Sequence, residues 1–541
     1  MSTAYFEVPE PYNEPYLSYA PGTPEREELT KAILELKSQE IEIPVIIGGK
    51  EIRTGNTQDV VMPHNHKHKL GVVHKAGEKE VKMAIKASLE ARAEWAALPW
   101  EHRASILLKA ADIITGPERY RMNAATMLGQ SKTPHQSEIE AVGELADFFR
   151  FNAYFLSQIM GDQPFSPEAT WNRVEYRGLE GFMFAVTPFN FTAIAGNLPA
   201  SMALCGNAVI WKPATSSVYS SYMVMKILER AGMPPGIINF LPGDGPDVGD
   251  PVFADENLSG LQFTGSTGTF QHMWKTIGKN IENYKTYPRI VGETGGKDFI
   301  FMHPTADVRE VSIAALRGAF EFQGQKCSAA SRMYVPKSLW PDLKKDLLAE
   351  VKQIKMGDVE DFSTFMGAVI DKKAFKSITS YIDFAKKAKD AEIIAGGGYD
   401  DSTGFFIEPT IIETTDPKFK TMEEEIFGPV LTVYVYADKD LDKALELCDT
   451  TSPYALTGAI FAKDRYALVM MADRLKNAAG NFYINDKPTG AVVNQQPFGG
   501  GRASGTNDKA GSMQNLLRWL SARSIKENLN PPKNWKYPYM G

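Results

Sequence analysis

Cysteine is scarce: the 541 residues hold three, Cys205, Cys327 and Cys448. The count is odd and no CxxC spacing occurs, which excludes a disulfide framework and a structural zinc site built on thiolates. Such a chain suits a reducing compartment. Long apolar runs are missing too, none reaching the ~18–20 residues of a membrane span. There is no basic excess: 59 Lys and Arg stand against 66 Asp and Glu, a formal charge of −7. Without a basic block to grip phosphates, neither nucleic acid nor membrane is expected as a partner. The opening residues carry Glu7, Glu10 and Glu14 and no Arg before Arg26, unlike a secretory signal or an Arg-rich transit peptide. A cytoplasmic location is expected, with the mitochondrial matrix as the alternative if a transit peptide has been removed.

What is present is ordinary globular composition, 43% hydrophobic and 23% charged, which excludes disordered and collagen-like chains. At roughly 150 residues per domain the length predicts two or three folded units. The first forty residues hold Pro and Tyr with little periodicity and read as a surface arm. Apolar stripes predict helices over Lys79–Ala97 and His102–Thr115, the second stopped by Gly116-Pro117, and a third over Glu138–Met160. From Gly181 onward short apolar runs alternate with helical stretches. Strands are predicted at Gly181–Val186, Ala208–Trp211, Ile237–Leu241, Leu261–Thr264, Val430–Tyr436, Thr457–Phe461 and Asn481–Asn485. Helices are predicted at Ser217–Ala231, from Thr267, and at Asp464–Lys476. That alternation argues a doubly wound, parallel α/β architecture in two domains.

Five stretches bear on chemistry. Cys205 and Cys448 sit in apolar helical patterns and read as small buried hydrophobes. Cys327 instead follows a polar Gly324-Gln325-Lys326, expected to be a flexible loop open to substrate. Its thiol, with a pKa of about 8.5 when free, would need a helix N-terminus, Lys326 or a nearby base for activation. Glu293 closes an apolar run before Thr294-Gly295-Gly296-Lys297. It reads either as a solvated turn residue or, if buried, as a general base. Asn190, in Thr187-Pro188-Phe189-Asn190, could aim an amide at an oxyanion, or simply make a turn. Gly265 and Ser266, between a predicted strand and helix, could hold a pyrophosphate at the helix start. Lys212 ends another strand as a cation for ribose or phosphate. Neither GxxxxGK[ST] nor GxGxxG occurs. His64, His66 and His68, at period two, would share one strand face near His74. Interleaved with Lys67 and Lys69 and lacking a carboxylate, they read as solvated, and no metal site is expected.

Taken in order, TPFN, WKP, FTGS, the Glu293-to-Lys297 element, GQKC, EEIFGPV at Glu424–Val430 and NDKPTG…QPFGG resemble the aldehyde dehydrogenase superfamily. The resemblance runs from about residue 40 to the C-terminus. Further segments (NEPYLSYAPGTPER, ELADFFRFNA, YRGLEGF, FQGQKCSAASRMYVP and AGNFYINDKPTGAVVNQQPFGGGRASGTNDKAG) resemble its branch acting on 1-pyrroline-5-carboxylate.

The resemblance implies an α/β fold with a Rossmann-type NAD-binding domain, an α/β catalytic domain and a small β oligomerisation flap. The expected division is an arm over 1–40, the NAD domain over 41–290 with flap strands near 165–180, the catalytic domain over 291–485, and an anchor loop with an oligomerisation tail over 486–541. The flap would pair the segment near Trp171–Tyr176 with the tail, in a dimer or larger homo-oligomer.

The implied activity is NAD-dependent oxidation of L-glutamate γ-semialdehyde to glutamate in proline catabolism. Cys327 would be the nucleophile, Asn190 the oxyanion donor and Glu293 the hydrolytic base. Thr187, Lys212, Gly265, Ser266, Glu425 and Phe427 would bind NAD. Thr215 stands where many strictly NAD-dependent members carry Glu, which weakens the case against NADP. Glu144, Phe191, Ser328, Gly490, Ala491 and Phe498 would surround the semialdehyde, with Ala491 lacking the hydroxyl some relatives have. Rival readings are another semialdehyde, such as succinate semialdehyde, a reductive acyl-phosphate enzyme, or a non-catalytic scaffold of the same fold. No flavin domain for proline oxidation is visible, so a proline dehydrogenase would be a separate, transient partner.

Overall fold

The computed structural model describes Ala4 and residues 6–541. Two seven-stranded sheets dominate. The first begins with five parallel strands, in the order Arg289–Glu293, Leu258–Thr264, Phe182–Val186, Val209–Lys212 and Ile238–Phe240. Val45–Ile47 and Lys50–Ile52 extend it antiparallel. Every residue of Phe182–Val186 and Leu258–Thr264 is buried, as expected of parallel strands covered by helices on both faces. The second sheet runs Ala391–Ala395, Thr410–Thr414, Val430–Tyr436, Ala330–Pro336, Asp298–Met302, Thr457–Phe461 and Asn481–Ile484. Only its first strand is antiparallel.

The predicted strands and helices are found with ends displaced by a few residues. Val218–Ala231 stops at Gly232 in a left-handed conformation (φ 109°), the helix terminus that glycine tolerates best. Two expectations need correction. The first forty residues are not simply an irregular arm, because Pro24–Lys37 is an α-helix that buries Leu29, Ala32, Ile33 and Leu36. This i, i+3, i+4, i+7 set is the stripe of an amphipathic helix. The stretch Glu138–Met160 is not one α-helix either: a π-helical turn, Glu138–Glu144, precedes Leu145–Gly161.

That π-turn is fixed at its start by buried charge. Arg119 bonds both Glu138 and Glu14, the latter at 2.8 Å. Glu138 also accepts from Tyr19 Oη at 2.6 Å, Asn123 Nδ2 at 2.7 Å and the Leu17 backbone N–H at 2.9 Å. The N-terminal segment is thus fastened to the π-turn by hydrogen bonds that have no water to compete with them.

Thr170–Gly178 and Leu520–Asn528 form a separate antiparallel ribbon, with Trp171 opposite Glu527 and Tyr176 opposite Ala522. Its root is tied to the first sheet, because Arg289 donates to the carbonyls of Leu517, Arg518 and Leu520 at 3.1, 2.8 and 2.7 Å. Among the described residues no helix is long and apolar enough to cross a membrane.

Glu138→Ala should take the shared acceptor from Arg119, Tyr19, Asn123 and the Leu17 N–H while Arg119 keeps Glu14, at a cost of about 1–3 kcal/mol. A drop in the urea unfolding midpoint is expected, and an unchanged midpoint would refute the fastening role.

Candidate active site

The helix Val308–Phe320 ends in the turn Glu321–Gly324, where Phe322, Gln323 and Gly324 are all left-handed, with φ of 51°, 55° and 66°. For non-glycine residues that conformation costs about 1–2 kcal/mol each, so other bonds must hold it. Gln323 Nε2 donates to the carbonyls of Ser131 (3.0 Å) and Ala368 (2.7 Å), while its Oε1 accepts the Gly367 N–H at 3.1 Å. Gln325 Oε1 accepts the Ile370 N–H at 2.9 Å. The segment before Cys327 is therefore clamped and buried, contrary to the flexible loop expected. Lys326 is not available to activate the thiol either: its Nζ bonds Glu321 at 3.1 Å.

Cys327 is 7% exposed, and burial pushes its thiol well above the usual range. The carboxylates of Glu293, Asp298, Glu425 and Glu144 push it the same way. Asn190 is bonded into the same loop, its Nδ2 donating to the Gln325 carbonyl at 3.1 Å. Glu293 ends the strand Arg289–Glu293 and its Oε1 is buried without a hydrogen-bond partner among the described residues. Burial raises its pKa to about 8, while the Lys509 ammonium pulls it down. Gly295 is required by close approach: a Cβ there would run into the Glu425 carboxylate. Glu425 Oε1 accepts the Gly296 N–H at 2.9 Å, and burial raises its pKa to about 7. Cys205 and Cys448 are fully buried, as expected of structural thiols.

Thr187, Lys212, Gly265 and Glu293 lie at the C-terminal ends of four neighbouring parallel strands, with Ser266 following. In open α/β sheets that edge is where ligands sit. Thr187 Oγ1 accepts from Trp211 Nε1 at 3.0 Å. The Gly265 N–H donates to the Glu293 carbonyl at 3.1 Å, and Ser266 caps the helix Thr267–Lys279 through the Thr269 N–H. Lys212 makes no ion pair among the described residues, and burial lowers its pKa. An uncompensated cation at a strand end fits a dinucleotide's ribose or phosphate. Phe427, with φ 58°, packs edge-on to Phe189 at 5.7 Å.

Ser328 Oγ and Thr489 Oγ1 share a 2.7 Å hydrogen bond, which ties the residue after Cys327 to the segment that continues into Gly490 (φ 96°) and Ala491. Phe498 is held by reciprocal backbone bonds with Ala510, at 3.0 and 2.8 Å, and lines a cavity with Glu293 and Lys509. Glu144 ends the π-turn. Burial and the Glu140 carboxylate raise its pKa to about 8, against the pull of Lys132.

Lys132, Lys297 and Lys509 escaped sequence reasoning. Lys132 is buried, 2.7 Å from Glu140, with Phe191 and Phe322 rings each 4.3 Å from its ammonium. No local pattern marks it. Lys509 donates to the carbonyls of Gly480 (2.8 Å) and Gly499 (3.0 Å). Lys297 is buried with no hydrogen bond to Nζ among the described residues, and burial lowers its pKa to about 7. Its place beside Gly295-Gly296 was the available signal.

The sequence pattern of the aldehyde dehydrogenase family matches residues 51–525. The chain is 53% identical over 536 residues to the mitochondrial delta-1-pyrroline-5-carboxylate dehydrogenase of Dictyostelium discoideum, covering 98% of this chain and 96% of that one. It matches a solved delta-pyrroline-5-carboxylate dehydrogenase of Mycobacterium tuberculosis bound with NAD, with a TM-score of 0.97 and 49% identity over 100% of both chains. Proline utilization A of Bdellovibrio bacteriovorus matches with a TM-score of 0.91 and 31% identity, over 96% of this chain and 53% of that one.

The raised pKa of Glu293 has a stability consequence. Its ordinary value is 4.5, whereas the folded state keeps the proton until about pH 8. Folding therefore loses stability as pH rises through that window. Glu293→Gln removes the loss, so its advantage in thermal midpoint over the parent protein should grow from pH about 5 to about 8 and then level off. A pH-independent offset would refute the assignment.

Proposed function

As the chain belongs to the aldehyde dehydrogenase family, we propose that it oxidises L-glutamate γ-semialdehyde, the open form of 1-pyrroline-5-carboxylate, to L-glutamate with NAD, in proline catabolism. The observation that carries this reading is a buried Cys327 thiol in the field of Glu293, whose carboxyl holds its proton to about pH 8, with Asn190 bonded to the same loop. A base poised near neutral pH suits proton transfer.

Cys327 Sγ, its proton released to solvent, bonds to the aldehyde carbon, whose oxygen takes the negative charge. Asn190 Nδ2 and the Cys327 N–H donate to the resulting oxyanion, a contact stronger in the transition state than in the ground state. Bound NAD would supply the two-electron acceptor for the hydride on that carbon. Thr187, Lys212, Gly265, Ser266, Glu425 and Phe427 would hold it. The residue left on Cys327 is then a thioester. Glu293 takes a proton from the attacking water, and Cys327 leaves as the thiolate while the carboxylate departs. We assign 41–290 to cofactor binding, 291–485 to the chemistry, and 486–541 with the ribbon to substrate anchoring and homo-oligomer contacts.

Glu144 favours the amino-acid semialdehyde over succinate semialdehyde. Its buried carboxyl is held near a pKa of about 8, and an incoming α-ammonium would offset the cost of its ionisation. Phe191 and Phe498 would flank the aliphatic chain. Ser328, with the N–H groups of Gly490 and Ala491, would bind the α-carboxylate. The mitochondrial relative supports the matrix alternative for location over the cytoplasm. The match to half of proline utilization A supports a transient proline dehydrogenase partner.

NADH release with chemically generated pyrroline-5-carboxylate tests the activity, and its absence would overturn the reading. Cys327→Ser should lower turnover by about 10³-fold or more while NAD binding, read by fluorescence, persists. Glu144→Ala should lower kcat/KM for the amino-acid semialdehyde by about 10- to 150-fold, the worth of a charged hydrogen bond. A simple aliphatic aldehyde should lose far less, and equal losses would remove Glu144 from specificity.

A further inference from the structure

The three histidines at period two do not share a solvated face. His66 Nε2 meets the Asp401 carbonyl at 2.9 Å and His68 Nε2 the Lys37 carbonyl at 3.0 Å. His64 instead turns inward from the bend between Thr57–Met62 and Asn65–His74, and it is 3% exposed. Its Nδ1 lies 3.2 Å from Ser131 Oγ, while Nε2 is buried with no hydrogen-bond partner among the described residues. That nitrogen faces Asp358 Oδ1 at 3.6 Å, too far for a hydrogen bond. Ligand atoms of His64, Asp358 and Glu360 all fall within 4.8 Å of one another.

We propose that His64, Asp358 and Glu360 form a binding site for a divalent first-row metal cation, with Mn²⁺ best matched to one imidazole and two carboxylates. A cation about 2.0–2.2 Å from a nitrogen and an oxygen ligand holds them roughly 3–3.5 Å apart, close to the separation found. Ser131 supplies the partner that a ligating histidine needs on its other nitrogen. With Nδ1–H donated to Ser131 Oγ, Nε2 presents its lone pair. Asp358 is half exposed, its side chain at 49%, which gives the ion an entry path. Lys37 bonds Glu360 Oε1 at 2.5 Å and leaves the other carboxylate oxygen to the metal. Ser131 also accepts from Gln323 through its carbonyl, so an ion here would stiffen the peptide on which the Cys327 turn is clamped.

The test uses the intact protein freed of metal by chelator and titrated with Mn²⁺ alone, followed by electron paramagnetic resonance. Mn²⁺ is chosen because thiolates such as Cys327 prefer softer ions. One bound equivalent is expected, with affinity falling about 10-fold or more in Asp358→Asn and in Glu360→Gln, both reached from solvent and safe for folding. Lys37→Met, which removes a competing cation, should bind at least as tightly as the parent. No uptake at about 1 mM free ion, the weak end of carboxylate sites, would overturn the proposal. Unchanged affinity in both carboxylate variants would do so as well.

Discussion

The left-handed turn before Cys327 is the constraint on which the site depends. Phe322 and Gln323 occupy a conformation that side chains disfavour, and the side-chain amides of Gln323 and Gln325 hold it from outside the turn. Their partners come from distant stretches, Ser131 on one side and Gly367 to Ile370 on the other. The position of Cys327 is thus set by tertiary contacts rather than by local propensity. A clamped turn also spares the enzyme the entropy of ordering a loop each time a substrate arrives.

Around that fixed sulfur the charge is lopsided. Burial and the carboxyl groups of Glu293, Asp298, Glu425 and Glu144 all oppose thiolate formation. A thiol held above its usual range keeps its proton and so resists unwanted oxidation, since reactivity follows thiolate content. A ligand carrying positive charge shifts the balance for thiol and carboxylates together. The same field that holds the Cys327 proton therefore makes the thiol responsive to any positive charge brought beside it.

Much of this was legible in sequence. Alternating apolar runs located both sheets, because fully buried parallel strands must be apolar on both faces. The motif order pointed to Cys327, Glu293 and Asn190, and the structure bonds Asn190 to the Cys327 loop and puts Glu293 in the thiol's electrostatic reach. What was missed was either non-local or overlooked. The Leu29, Ala32, Ile33, Leu36 stripe was present but masked by its Pro- and Tyr-rich surroundings. The π-turn at Glu138–Glu144 has no periodic signature, since it arises where Arg119, Tyr19 and Asn123 converge on one carboxylate. Lys132 and the His64–Asp358–Glu360 grouping join residues far apart in the chain, which no window can read.

Arg289 holds three carbonyls at the root of the ribbon and lies on the strand that ends in Glu293. Thr506 bonds Gly292 on that strand, and Thr294 just beyond it bonds the Ala503 carbonyl. The C-terminal segment is therefore a splint along the strand that ends in Glu293, not a loose appendage. Proteolytic trimming upstream of residue 520 would remove carbonyls that Arg289 holds, so damage at the periphery would reach the strand that positions Glu293.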